Sequence, residues 1–302
     1  MSTTQVLLPI VGAIEAANQL LGGNRRWDPR GPDRQRHFLK NVYEPMRLIV
    51  GEIPDIESIA ARSTEEINAF LRRKGFSIAL DPFTDPRDFG VASVLDVLVE
   101  WLERGDIRSI RTGGREYPAV RIPVKDRYAP ARSQRVLFFA NRAFPNPVAC
   151  LQTRSPAGDV VYLTVLDASR VPDLLASPGP LLDLTISMAT PDYGGVVFPM
   201  VSLDHEVDIS WLRGLETTGV DGLPAIIGQA LQQTKFRMNE VGARAESAVA
   251  LRVTRGMAPR PKPDLIIDQP FCCWIERPGF PFPLFFGHIT EDDWRNPGTL
   301  GR

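Results

Sequence analysis

Met238-Asn239-Glu240-Val241-Gly242-Ala243-Arg244-Ala245-Glu246-Ser247-Ala248-Val249 is the stretch whose reading decides the fold. Counted from Glu240, one alternate set after the glycine is Ala243, Ala245, Ser247 and Val249, all small or medium. Strand side chains point to two faces in turn, so this set can close against a covered face without overpacking. Arg244 and Glu246 fall on the opposite face, where water can reach them. Gly242 supplies a joint free of Cβ restriction, useful where a strand peels away into a loop. Residues 243–255 are also rich in Ala, Glu, Leu and Arg, which favour helix by intrinsic propensity. Taken alone, the stretch leaves strand and helix open.

The C-terminal part narrows the choice. Leu265-Ile266-Ile267-Asp268-Gln269-Pro270-Phe271-Cys272-Cys273-Trp274-Ile275 is followed, after a Pro278-Gly279 turn, by the apolar run Phe282-Pro283-Leu284-Phe285-Phe286-Gly287-His288-Ile289. Two apolar runs joined by a turn predict a buried antiparallel hairpin over 265–276 and 282–289. The order and spacing of Asn239-Glu240-x-Gly242, Asp268-x-Pro270-Phe271 and Phe286-Gly287 resemble the reactive-loop hinge and C-terminal signature of the serpins, in a short, divergent, bacterial-type member. Cys272 departs from the larger apolar residue usual after the Phe. Upstream, 196–209 around Pro199 is similar to the family's Pro-centred strand, and 222–238 to the helix and strand that run into the hinge. Residues 63–75, with Ile67-Asn68, are similar to the helix that lies over the main sheet.

The resemblance implies one serpin-like α+β domain over 1–302, with a helix-rich half (1–110) packed on antiparallel sheets, a strand-rich half (111–302) and a reactive-loop region at 240–263. It implies inhibition of a serine endopeptidase by a suicide-substrate loop that inserts into a β-sheet. The hinge would be Glu240, Gly242, Ala243, Ala245, Ser247 and Val249, and the signature Asp268, Pro270, Phe271, Phe286 and Gly287. Counting from Glu240 puts the scissile region at 254–257. Arg255, followed by Gly256, is the expected reactive bond, because an Arg there suits the acidic pocket of a trypsin-like protease. Strict spacing selects Gly256 itself, and Arg252 and Met257 stay open. Ala243 and Arg244 stand where inhibitory members commonly carry Thr and Glu. The alternative is therefore a serpin-fold binding or structural protein with a degenerate acceptor sheet. Members of the family run longer, so the resemblance also implies a trimmed first half.

Composition narrows the function classes. The chain has 302 residues, 43% of them hydrophobic, enough for a sizeable core. Thirty-five Lys and Arg against 36 Asp and Glu, a net charge of -1, argue for no nucleic-acid or membrane partner. Arg25, Arg26, Arg30, Arg34, Arg36 and Lys40 read as a solvated loop rather than a polyanion site. An enzyme should show a nucleophile with a base, a metal cluster or a phosphate cradle. The three histidines, His37, His205 and His288, stand in no such context. Asp204, Glu206 and Asp208 share one strand face with His205 on the other, which reads as a solvated edge. The expectation is thus no catalytic residue, no metal, no cofactor and a monomer. Cys150, Cys272 and Cys273 sit in apolar strand-like contexts and imply no disulfide framework. The N-terminus shows no basic n-region and carries Glu15 inside its apolar pattern, which makes a cytoplasmic location the default.

Periodicity predicts helices over 4–21, 33–50, 63–74 and 91–104, and strands over 117–124, 135–141, 147–154, 159–166, 196–209 and 265–289, with Gly113-Gly114 as a hairpin turn. Residues 91–104 divide the readings. Val94, Leu95, Val97, Leu98, Trp101 and Leu102 follow helical spacing up to Gly105, whereas the resemblance puts a central strand there.

Overall fold

The computed structural model describes residues 1–84, 89–124, 135–141, 144–176, 181, 193–242 and 262–300. The strands of the first half are β1 (Thr3–Thr4), β2 (Ile56–Ala61), β3 (Gly90–Leu95), β4 (Asp106–Thr112), β5 (Arg115–Pro123), β6 (Val136–Asn141) and β7 (Phe144–Gln152). Those of the second are β8 (Val160–Val165), β9 (Gly195–Pro199), β10 (Val201–Val207), β11 (Glu216–Thr218), β12 (Pro224–Ile226), β13 (Gln232–Met238), β14 (Leu265–Ile266), β15 (Phe271–Glu276) and β16 (Phe285–Ile289). Among the described residues the α-helices are α1 (Leu8–Leu20), α2 (Asp33–Phe38), α3 (Glu44–Met46) and α4 (Thr64–Arg73).

One sheet runs β1-β16-β15-β8-β7-β6 and carries the C-terminal hairpin at its centre. β15 pairs antiparallel with both β16 and β8, so Phe271, Trp274 and Phe286 are fully buried and Phe285 nearly so. A second sheet runs β14-β9-β5-β4, in which β14 lies parallel to β9. β2 pairs with β3, β10 with β13 and β11 with β12, each as a separate pair. Arg277, just past β15, donates from Nε and Nη2 to both oxygens of Asp159 at 2.7 and 2.9 Å. It also reaches Asp55, before β2, at 2.7 Å, and so ties the large sheet to the β2-β3 pair.

Local chemistry accounts for the helices. Ser63 caps α4 by accepting from the Glu66 N–H, the Ser-x-x-Glu pattern of a capping box start. Gly75 ends the turn beyond it at φ +81°, where a Cβ would be strained. Ile67, Phe70 and Leu71 face Ala92 and Val94 of β3, so α4 lies on the β2-β3 pair. The 33–50 segment is helical from Asp33 to Met46, with a π turn at Leu39–Tyr43. Gly113 and Gly114, both at positive φ, make the β4-β5 hairpin turn.

The structure corrects several boundaries. Residues 91–104 are not helical: β3 alternates buried and half-buried positions, pairs with β2 along its length, and is followed by extended chain. Cross-strand partners supplied by distant residues outweigh the local helical spacing. The helix-rich half therefore also holds β2, β3 and β4. The 196–209 run is two strands in two sheets, breaking at Met200, whose N–H goes to Pro118 O at 2.8 Å. The 265–276 run divides as well. β14 belongs with β9, and the hairpin strand begins at Phe271, because Pro270 has no N–H to extend the ladder. The helix expected within 222–238 is absent: Pro224 sits in β12 and only β13 leads toward the hinge.

Candidate reactive-loop anchors and acceptor cleft

β13 ends in a tight turn, Asn239 to Gly242, packed on the segment 99–105 that continues β3. The Asn239 N–H donates to Gly242 O at 3.0 Å, and Asn239 Oδ1 accepts from the Val241 N–H at 2.9 Å. Trp101 Nε1 donates to Asn239 O at 3.0 Å and the Trp101 N–H to Val241 O at 3.3 Å. The Gly105 N–H reaches Glu240 O at 2.7 Å. The Glu240 carboxylate, largely buried, accepts from the Arg104 guanidinium at 2.6 Å. Gly242 bridges to Glu100 at φ +139°, and a Cβ there would stand 2.7 Å from both Glu100 Cα and Val99 O. Only glycine fits.

The other end is held in the second sheet. The Gly194 N–H donates to Pro263 O at 2.9 Å, β14 lies along β9, and the Ile267 N–H reaches Val197 O at 2.8 Å. Arg121 of β5 clasps Asp264 with Nε and Nη2 at 2.7 and 2.9 Å, and that carboxylate raises the guanidinium pKa. A Cβ on Gly194 would meet Lys262 O at 2.7 Å, which explains the Gly194-Gly195 pair. The chain thus enters 243–261 from one sheet pair and leaves it into another sheet.

Between the anchors, β3 and β13 are joined near the hinge by the Glu100–Gly242 bridge and form no ladder below it. A cavity of about 130 Å³ separates them, walled by residues 91–95 of β3 and 232–235 of β13, with Ile10 and Ile14 of α1 among its other walls. The segment 75–81 runs across to β13. Gln233 Oε1 accepts from the N–H groups of Ser77 and Ile78 at 2.9 and 3.3 Å. Lys235 Nζ donates to Gly75 O at 2.6 Å and sits 5.5 Å from the Phe76 ring centroid. Asn68 of α4 holds the segment from the other side through two bonds to the Leu80 backbone at 3.0 and 2.8 Å.

Of the residues singled out in the sequence, Glu240 and Gly242 come together at the first anchor. Ala243, Ala245, Ser247, Val249, Arg255 and Gly256 lie outside the described residues, as do Arg252 and Met257. Phe271, Phe286 and Gly287 are core positions of the large sheet, while Asp268 and Pro270 are half-buried at its approach. His205 points away from Asp204 and Glu206 and meets the buried Asp293 at 2.9 Å. Sequence reading missed Arg104, Arg121, Gln233 and the turn-binding face of Trp101. Each acts on a partner more than 130 residues away, and no local spacing signals it.

No protein-family model matches the chain. Plasminogen activator inhibitor 1 from Bos taurus is 32% identical over 111 residues, 32% of this chain and 26% of the relative, and the Sus scrofa protein gives the same figures. The chain spans about a quarter of the length of these curated relatives, which are inhibitors by name. Among solved structures, a serpin from Schistosoma mansoni shares the fold with a TM-score of 0.59 at 11% identity, over 96% of this chain and 94% of that one. Thyroxine-binding globulin in complex with thyroxine gives 0.56 at 12%, over 96% and 92%. Serpin48 of the insect Tenebrio molitor gives 0.51 at 11%, over 94% and 96%. The architecture is the α+β fold of the serpins. The chain is thus similar in sequence to these inhibitors over about a third of its length, and similar in fold to serpins over nearly all of it.

Proposed function

We propose that this protein acts as one serpin-like domain and inhibits a serine endopeptidase through a suicide-substrate loop between its two anchors. The observation that carries the reading is the gap between β3 and β13, two strands joined at the hinge end and unpaired beneath it. A further strand laid there would find open ladder edges, and the sequence just past Gly242 offers the small set Ala243, Ala245, Ser247 and Val249 to face inward. A protease serine attacks the Arg255 carbonyl carbon, the bond to the Gly256 nitrogen breaks, and that nitrogen takes up a proton as the acyl-enzyme forms. The freed strand then inserts. About a dozen new ladder bonds, each worth roughly 0.5–1.5 kcal/mol, release on the order of 10 kcal/mol. That rivals the stability of a whole domain. An Arg at the cleaved position selects a trypsin-like partner, met by a monomer.

Trypsin is the test. The inhibitor reading expects an SDS-resistant adduct, a marked rise in thermal stability on cleavage near Arg255, and, for Ala245→Arg, cleavage without adduct, because a guanidinium in the growing sheet has no partner. Simple turnover with unchanged stability would overturn it. A second reading, a non-inhibitory serpin-fold binding protein, is favoured by one observation: the 75–81 segment crosses the gap and is bonded to β13 through Gln233 and Lys235. Thyroxine-binding globulin shows that the fold also occurs in a ligand-bound protein.

A further inference from the structure

At the foot of the same gap lies a second, larger cavity of about 850 Å³, within the roughly 300–1,000 Å³ typical of small-molecule sites. One wall is built from the C-terminal half of α1, Leu21 and Trp27; another is Leu80 to Phe83 and the start of β3; the third is the β11-β12 hairpin and the residues up to Gln229. Three polar side chains of its walls, Asp81, Gln229 and Asp221, are engaged with the protein, and Arg62 and Thr84 complete the polar part of the lining. Asp81 and Gln229 bond each other at 3.0 and 3.1 Å, and Asp221 Oδ1 accepts from the Leu223 N–H at 3.0 Å. Among the described residues, the buried polar atoms without a partner belong to Thr4, Arg135 and Trp294, and none of these lines the cavity. Apolar side chains dominate the lining, so the space offers much to a hydrocarbon surface. The hairpin adds three apolar side chains that water should not keep: Val220, Leu223 and Ile226 are 65, 49 and 58% exposed at the wall of the cavity.

We infer that this cavity is a binding site for a compact lipophilic small molecule, seated against Trp27 and Phe83 and covered by the apolar side of the 216–226 hairpin. Its volume suits a fused-ring body, and its mainly apolar walls disfavour a sugar, most of whose hydroxyls would go unpaired. The site is separate from the reactive-loop anchors and does not depend on whether the protein inhibits a protease.

The probe is N-phenyl-1-naphthylamine, an uncharged lipophile whose fluorescence rises in apolar surroundings, titrated into the whole protein. Saturable one-to-one enhancement is expected. Ile226→Lys and Leu223→Lys, both at exposed positions, should each weaken it about tenfold or more by placing a charge at the apolar rim. Leu48→Lys, which removes the 73%-exposed Leu48 outside the cavity lining, should leave it unchanged. Non-saturable binding, or equal loss in all three variants, would overturn the site as mere adsorption to exposed apolar surface. Concentration-dependent self-association that Ile226→Lys abolishes, without probe binding, would overturn it in favour of a second copy of the chain.

Discussion

Gly242 touches Glu100 so closely that no side chain fits between them, and this contact joins the strand that carries the hinge to the strand it would part from. Main-chain bonds flank it, from Trp101 to Val241 and from Gly105 to Glu240. The hinge therefore starts from a fixed point.

Gly242→Ala tests that point. A Cβ at φ +139° meets both backbone strain and two backbone atoms at 2.7 Å. The expected cost is about 1–3 kcal/mol in urea unfolding, the range for a strained backbone site. Exchange of the Trp101 and Gly105 amides should quicken in the same variant. A silent substitution would mean that the turn is free to move.

Arg104→Ala leaves the largely buried Glu240 carboxylate without its guanidinium. Because Arg104 is itself 60% exposed, the pair is screened and the loss should be about 1 kcal/mol. Added salt should narrow the difference between wild type and variant. Glu240→Lys should cost more than Arg104→Ala, since it sets two cations together at a covered position. A double-mutant cycle on the two residues reads the coupling directly.

Glu276, at the end of β15, has its carboxyl pKa raised by burial, against which hydrogen bonds from Trp274 and Tyr162 act in the opposite direction. The folded protein then holds this proton more tightly than the unfolded chain. The corresponding stability is fully present below the unfolded carboxylate value and is lost as pH rises through the higher folded one. Glu276→Gln should therefore raise Tm at neutral pH, and the gain should fade as pH falls below the ordinary carboxylate range. Thermal melts from pH 3.5 to 8 check the sign; a gain that grows on acidification would refute it.

Phe271→Ala empties a fully buried ring site in the middle of the large sheet. The expected loss is about 3–5 kcal/mol by chemical denaturation. A loss below about 1 kcal/mol would show that neighbouring side chains collapse into the space.

The C-terminal hairpin was legible because its apolarity is local and dense: Phe271, Trp274, Phe285 and Phe286 must be covered whatever else happens. The cap at Ser63, the turn at Gly113-Gly114 and the glycine at 242 were legible for a similar reason, since each is a demand made by a few adjacent residues on their own backbone. Residues 91–104 were not, because Val94, Leu98 and Trp101 follow a helical period although residues 90–95 form a strand, and the choice fell to β2 and to the turn after β13. Pro270 could be read as a break, but not the transfer of Leu265 and Ile266 to β9, which requires the distant Val196 and Val197. The sequence by itself determined which segments must be buried and where the chain can bend, since those follow from hydrophobicity and backbone sterics. Only the tertiary structure decided which strands pair, that β3 and β13 stay apart, and that Arg104 and Arg121 hold the two ends of the loop, because hydrogen-bond ladders and ion pairs form between residues whose separation along the chain carries no trace of their distance in space.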